Sequence, residues 1–249
     1  MRIAFKYFLF SILICFQIRS FGQLDMADIK LEQIRQRKIR KYIECQIEEN
    51  KHQFSEIHPS WNRGEDLSSY SKNEMTFLLK GNLQDVWQGY LSADPSKSWT
   101  GRMVSFGLLL QKFPGNIFYN HDLIMGVDTG QVCFLNLKLL LGIFNVPVAF
   151  EIITVDPVEK VIEFSYIEGN KSSGVQHVKF LDIGGGLTEI VHTSYFKSDS
   201  QLRDKWLYPF FHEKIVNGFH HNMKKLLRLK KGKIKKDASI TASNKKYKP

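Results

Sequence analysis

From Val146 to Phe196 the chain alternates four strand-like apolar runs with short turn signals, and from Asp199 it becomes one long amphipathic segment. No other feature narrows the fold as much. Val146 to Val155 reads as a strand closed by the turn Asp156-Pro157, and Val161 to Ile167 follows. The loop from Glu168 to Gly174 leads into Val175 to Asp182, which Gly184-Gly185-Gly186 joins to Leu187 to Phe196. Loops this short connect antiparallel neighbours, because a parallel pair needs a crossover of about a dozen residues. The last segment places Leu202, Trp206, Phe210, Phe219, Met223 and Leu226 on one side, with Ser198 or Asp199 as its cap and Pro209 expected to kink or divide it. A sheet followed by a helix with one apolar side predicts an α+β domain in which the helix closes the core.

Upstream, Met75 to Lys80 reads as a short strand, Gly81 breaks it, and Asn82 caps a helix from Leu83 to Leu91. Trp99 to Asp128 scatters glycines and Pro114 among apolar residues, so short helices and irregular backbone are expected there. Residues 24–57 are charged and helix-prone, with Leu31, Ile34, Ile39, Ile43 and Ile47 partly at helical spacing; they read as a helix packed on the domain surface. His58 to Lys72 reads as a connection.

The extreme N-terminus has the form of an export signal. Arg2 and Lys6 precede a run from Tyr7 to Phe16 that is apolar except for Ser11, and Ser20 and Gly22 are the small residues before a cut at Gln23. Gln17 and Arg19 end the run well short of the roughly 20 apolar residues a membrane span needs. The reading is a signal peptide over 1–22, an N-terminal helical extension and linker over 23–72, the main domain over 73–229 and a basic disordered tail over 230–249. The product is expected to be exported: periplasmic, envelope-associated or secreted.

The net charge of +10 invites a nucleic-acid reading until it is located. The leader carries three basic residues, and nine more fall between Arg228 and Lys248 against Asp237 alone, so the body between is close to neutral. The domain is therefore not expected to bind nucleic acid. The Lys-rich tail cannot bury enough surface to fold alone; it is a solvated terminus, an adhesive segment for an anionic membrane surface or envelope polymer, or a handle for an acidic partner. After cleavage Cys45 and Cys133 remain, and nothing in the sequence decides whether they pair. No Cys/His spacing suits a metal, and no cofactor is expected.

Three stretches carry a family resemblance: Phe77-Leu78-Leu79-Lys80-Gly81-Asn82-Leu83-Gln84-Asp85-Val86-Trp87, the hairpin run from Phe150 to Phe196, and the helix after Asp199. Their order resembles the helix-grip superfamily of START-like and polyketide-cyclase-like proteins (SRPBCC), and the segments Ile162 to Tyr166 and Val191 to Tyr195 are similar to an uncharacterised branch of it. The resemblance implies a curved antiparallel sheet wrapped around a long C-terminal helix, enclosing a cavity. It also implies an apolar or amphipathic, lipid-like ligand, although some members are enzymes. Fold analogy alone does not choose between these.

Strand alternation supplies the candidate lining. If Glu163 and Glu189 face water, then Phe164, Tyr166, His192 and Ser194 face inward, joined by Trp206 and Phe210 from the helix. These six are the candidate ligand-binding residues; no catalytic set is assigned. His192 and Ser194 point the same way but sit about 7 Å apart, without a G-x-S-x-G elbow. His121-Asp122 could supply a base or be a loop pair, and His212, His220 and His221 read as surface or rim residues because their spacing misses i, i+4. Asn170-Lys171-Ser172 fits a glycosylation sequon. Three functions stay open: a non-enzymatic carrier or sensor, a cyclase- or hydrolase-type enzyme using cavity His or Tyr, and an envelope interaction protein with a filled core.

Overall fold

Hairpin turns and glycine positions set the architecture. In the computed structural model, which describes residues 25–49, 51–200 and 208–245, eight strands form one curved antiparallel sheet. They are β1 (Ser71–Lys80), β2 (Val104–Gln111), β3 (Asn116–Tyr119), β4 (Gln131–Leu139), β5 (Phe144–Asp156), β6 (Val161–Tyr166), β7 (Ser172–Asp182) and β8 (Leu187–Ser198). Their order across the sheet is β1-β8-β7-β6-β5-β4-β2-β3. The helices are α1 (Arg37–Glu48), α2 (Leu83–Leu91), α3 (Pro95–Ser98) and α4 (Tyr208–Lys245). All four expected hairpin strands form, and the three glycines between β7 and β8 take φ of 80°, 62° and 70°, a left-handed run that side chains resist. As expected, Asn82 caps α2, its Oδ1 accepting from the Asp85 amide at 2.8 Å.

The region from Trp99 to Asp128 departs from expectation, because β2 and β3 form there. Leu108, Leu109 and Leu110 are all fully buried, so β2 is apolar on both faces and shows no alternation to read. Its register shifts between Phe106 and Leu108, a bulge centred on Gly107. A Cβ at Gly107 would lie 2.4 Å from Ile39 Cδ1 and 3.1 Å from the Phe134 carbonyl, so glycine admits α1 onto the strand.

Each face of the sheet has its own core. The inner face packs Phe106, Leu109, Phe150, Phe164 and Phe180 against Trp87 and Tyr90 of α2 and Met223 of α4. The outer face packs Leu108, Val132, Phe134 and Ile167 against Met26, Ile39, Ile43 and Phe54 of the N-terminal segment. That segment is a single twelve-residue helix flanked by short 3-10 turns rather than one continuous helix. Polar contacts tie it down: the Lys30 amide donates to Tyr119 Oη (2.7 Å), Gln36 Nε2 to the Phe106 carbonyl (2.8 Å) and Lys112 Nζ to the Ile57 carbonyl (2.6 Å). Lys112 also pairs with Glu151 at 2.6 Å, both side chains nearly buried. Burial raises the Glu151 carboxyl, and the Lys112 hydrogen bond and charge oppose that rise. The connection after His58 is also seated, with the Ser60 amide on the Tyr166 carbonyl at 2.6 Å and Trp61 buried.

Two expectations about the C-terminus need correction. α4 begins at Tyr208, so Pro209 lies in its first turn, where a missing N–H costs nothing, and it does not break the helix. The helix also runs on to Lys245, through the segment expected to be disordered. The leader over 1–22 and Trp206 lie outside the described residues.

Candidate functional site

Packing of α4 across the inner face leaves a cavity of about 290 Å³ between the helix and strands β4 to β8. Trp99, Leu135, Leu137, Phe150 and Val216 make much of its wall apolar, while Tyr166, Gln176, His192 and His212 supply polar groups. A larger, open saddle of about 680 Å³ crosses α4 around Gly218, but the converging polar side chains mark the smaller, apolar cavity as the site.

Strand pairing organises the polar wall. Gln176 on β7 sits directly opposite Ser194 on β8, and His192 lies two residues along the same face. The amide oxygen Oε1 of Gln176 gathers Ser194 Oγ by a short hydrogen bond, His192 Nε2 at 3.1 Å and His212 Nε2 at 3.1 Å. From His192 a chain continues inward. His192 Nδ1 meets His220 Nε2 at 2.9 Å, and His220 Nδ1 meets Tyr90 Oη at 2.9 Å. The partners assign the tautomers. Gln176 Oε1 can only accept, so His192 carries its proton on Nε2 and accepts on Nδ1 from His220 Nε2–H. His220 Nδ1 then accepts from the tyrosine hydroxyl.

Desolvation keeps this array neutral. Burial lowers His212 to about 4 and His220 to about 3. It lowers His192 well below its ordinary value, and the neighbouring His220 and His212 add repulsion. Burial likewise raises the Tyr90 phenol far above its usual range. At neutral pH these histidines therefore offer uncharged hydrogen-bonding groups, and the basic side chain of Lys171 lines the same cavity.

The six sequence candidates fare differently. Phe164 is buried, edge-on to His192 with ring centroids 5.9 Å apart, and Tyr166 lines the cavity half-buried. His192 and Ser194 are both 1 % exposed and point inward. Phe210 is 51 % exposed and lies away from the cavity, with Lys214 Nζ 3.8 Å from its ring centre. The reason is helical phase: nine residues separate it from Phe219, and nine steps of about 100° place the two on opposite sides of an unbroken helix. The same phase turns His212 and His220 inward, correcting their reading as surface residues; His221 is exposed.

Glu163 faces away from the cavity as expected, but it is buried beneath the connecting segment, 3.8 Å from Arg63 and 3.7 Å from His177. His121 and Asp122 form an exposed loop pair at 3.6 Å, outside the cavity. Asn170 Nδ2 donates to the Ala149 carbonyl at 2.6 Å, which occupies the atom a glycan would need. Cys45 and Cys133 are not bonded to each other; one is exposed and the other buried. Among the described residues no group of three His, Cys, Asp or Glu side chains is placed to hold a metal, and no helix is long and apolar enough to cross a membrane.

A curved sheet gripping one long helix, with a cavity between them, decides the architecture. It is the helix-grip fold. Comparison with solved structures finds similar chains at low identity. A norcoclaurine synthase point mutant from Thalictrum flavum, in complex with a transition state analogue, is 13 % identical over 65 % of this chain and 96 % of its own, with a TM-score of 0.48. A major latex-like protein of Panax ginseng is 17 % identical over 63 % and 96 %, with a TM-score of 0.46. A conserved protein from Geobacillus kaustophilus is 12 % identical over 64 % and 95 %, with a TM-score of 0.44. No family profile and no curated protein matches the chain.

Proposed function

We propose that this protein is a non-enzymatic carrier or sensor that holds an apolar or amphipathic, lipid-like small molecule between the sheet and the C-terminal helix. The observation that carries the reading is the cavity, a largely apolar chamber of about 290 Å³ with Gln176, His192 and His212 gathered on one wall and Asn170, Lys171 and Ser172 also on its lining. That volume of about 290 Å³ falls just below the range of roughly 300–1,000 Å³ for small-molecule sites. The polar wall suits a hydroxyl, carbonyl or protonated acid at one end of an otherwise apolar ligand. A catalyst is less well supported. The His192 and His220 nitrogens are spent on one another, on Tyr90 and on Gln176, and Ser194 Oγ is bound to Gln176 in a fully buried position. Native mass spectrometry of gently purified protein tests the reading. A retained small molecule is expected, and a ligand-free protein that also excludes fluorescent fatty-acid analogues would overturn it.

Export belongs to the same proposal and rests on the sequence of residues 1–22. N-terminal sequencing of the mature protein is expected to begin at or near Gln23, and intact Met1 in the mature pool would refute it. The basic C-terminal segment is proposed to contact an anionic membrane surface or envelope polymer, where each Lys near the surface adds ~1 kcal/mol.

A further inference from the structure

β1 is an edge strand, and among the described residues nothing pairs with its outer side. It pairs with β8 alone, in unbroken register from Ser71 to Lys80. The Gly81 amide donates to the Gly186 carbonyl at 2.8 Å, which extends that ladder and puts the odd-numbered residues of β1 on β8. The N–H and C=O of Thr76 and of Leu78 therefore point to the free edge. Proteins blunt such edges with charges, prolines or bulges. The stretch from Thr76 to Leu79 has none of these, and Leu78 is 56 % exposed.

That edge is one wall of the open saddle of about 680 Å³, whose floor is α4 at Gly218. Glycine inside a helix costs backbone entropy. A Cβ at Gly218 would meet nothing within 4 Å, so no contact in the described fold calls for glycine, and its effect is to leave the floor bare beside the edge. Arg102, Lys214 and Lys224 line the saddle and no acidic residue does. Among the described residues none of these three cations has a carboxylate partner. Asn222 Nδ2 donates to the Ser98 and Thr100 carbonyls at 3.0 and 2.9 Å, which fixes the loop carrying Arg102 against α4. A free strand edge, a bare helical floor and a cationic rim suit an extended segment of opposite charge. Strand addition supplies its main-chain hydrogen bonds, and its alternate side chains meet the walls. A second copy docked edge to edge would instead bring two cationic rims together, and like charges so juxtaposed are costly.

We propose that the saddle binds an extended acidic peptide segment of a partner protein, added as a strand to the free edge of β1. This interaction does not depend on what the cavity holds. Fluorescence anisotropy with the full chain tests it, using a labelled short peptide that alternates valine and aspartate. Binding that weakens with added salt is expected, and none for the counterpart with lysine in place of aspartate. Gly218→Leu, which fills the floor, is expected to abolish binding, as is N-methylation of the peptide backbone, which blocks strand pairing. Lys214→Glu/Lys224→Glu is expected to weaken binding about tenfold or more. Lys38→Glu/Lys41→Glu makes the same charge change at exposed positions of α1 and is expected to leave binding unchanged. Far-UV circular dichroism and melting curves check that the variants fold. The proposal is overturned if the acidic peptide does not bind. It is also overturned if Gly218→Leu and the N-methylated peptide bind as well as the unmodified pair, which would assign binding to the basic C-terminal segment. Leu78→Pro removes an edge-facing N–H that the β8 ladder does not use. A dimer in sedimentation that this variant dissolves would give the edge to a second copy and overturn the proposal too.

Discussion

Phe210 and Phe219 are the same residue type on the same helix, yet they have opposite fates. Phe219 is half-buried and stacks on Trp99 with ring centroids 4.2 Å apart, while Phe210 is more than half exposed. Phe219→Ala is expected to cost about 2–3 kcal/mol, below a fully buried phenylalanine, and Phe210→Ala within about 0.5 kcal/mol; urea denaturation measures both. Equal costs would mean that the helix is wrongly phased. On the cavity wall, His192→Gln removes the link between Gln176 and His220 while keeping a polar side chain. Retention of a fatty-acid analogue is expected to fall several-fold with the fold intact, and unchanged retention would leave His192 only a structural role. The inward face of His192 and Ser194 was legible from strand alternation. Gln176 and His220 were not, because no local pattern shows that β7 and α4 converge on those two residues.

At the scale of elements, the N-terminal segment is the least expected contributor. It covers Leu108, Val132, Phe134 and Ile167, which would otherwise face water on the sheet's outer side. Deleting residues 23–57 is expected to give an aggregating protein that binds hydrophobic dyes, as checked by solubility and dye fluorescence. A soluble, cooperatively folding truncation would show the segment to be an accessory. Gly107 is the point of closest approach. Gly107→Val must displace Ile39 and press on the Phe134 carbonyl, and overpacking of this kind typically costs about 1–3 kcal/mol. A change of that size in urea midpoint is expected, paired with partial rescue by Ile39→Ala, whose shorter side chain vacates the contested space.

At the scale of the molecule, the buried imidazoles couple stability to pH. In the unfolded chain each histidine titrates near its ordinary value of about 6.5; in the fold His212 is held to about 4 and His220 to about 3, with His192 also lowered. Below pH 6.5 the unfolded state therefore binds protons that the folded state refuses. Their contribution is intact above about pH 6.5 and declines as pH falls toward the folded values, by at most about 1.4 kcal/mol per unit per group. The carboxyls of Glu56, Glu74 and Asp156 are also lowered, and they take effect only as pH falls further through the carboxylate range. Urea midpoints between pH 7.5 and 4.5 are expected to drop steadily, with a shallower slope in His220→Gln. A flat profile would mean that the histidines are not buried in neutral form.

The sequence by itself determined the antiparallel order from β5 to β8, the capped helix α2 and a long final helix, because turn chemistry, capping and apolar periodicity are local and survive without tertiary context. It also indicated which face of β6 and β8 turns inward, since a strand's period of two is an intrinsic property of its backbone. Tertiary structure alone decided the rest. β2 is buried on both faces and so carries no alternation. The phase of α4 depends on where that helix starts, and a Pro209 that could break a helix instead opens one. Whether Glu163 meets water depends on a segment a hundred residues away in sequence. The polar wall joins side chains from α2, β7, β8 and α4, and such convergence is a property of packing rather than of spacing.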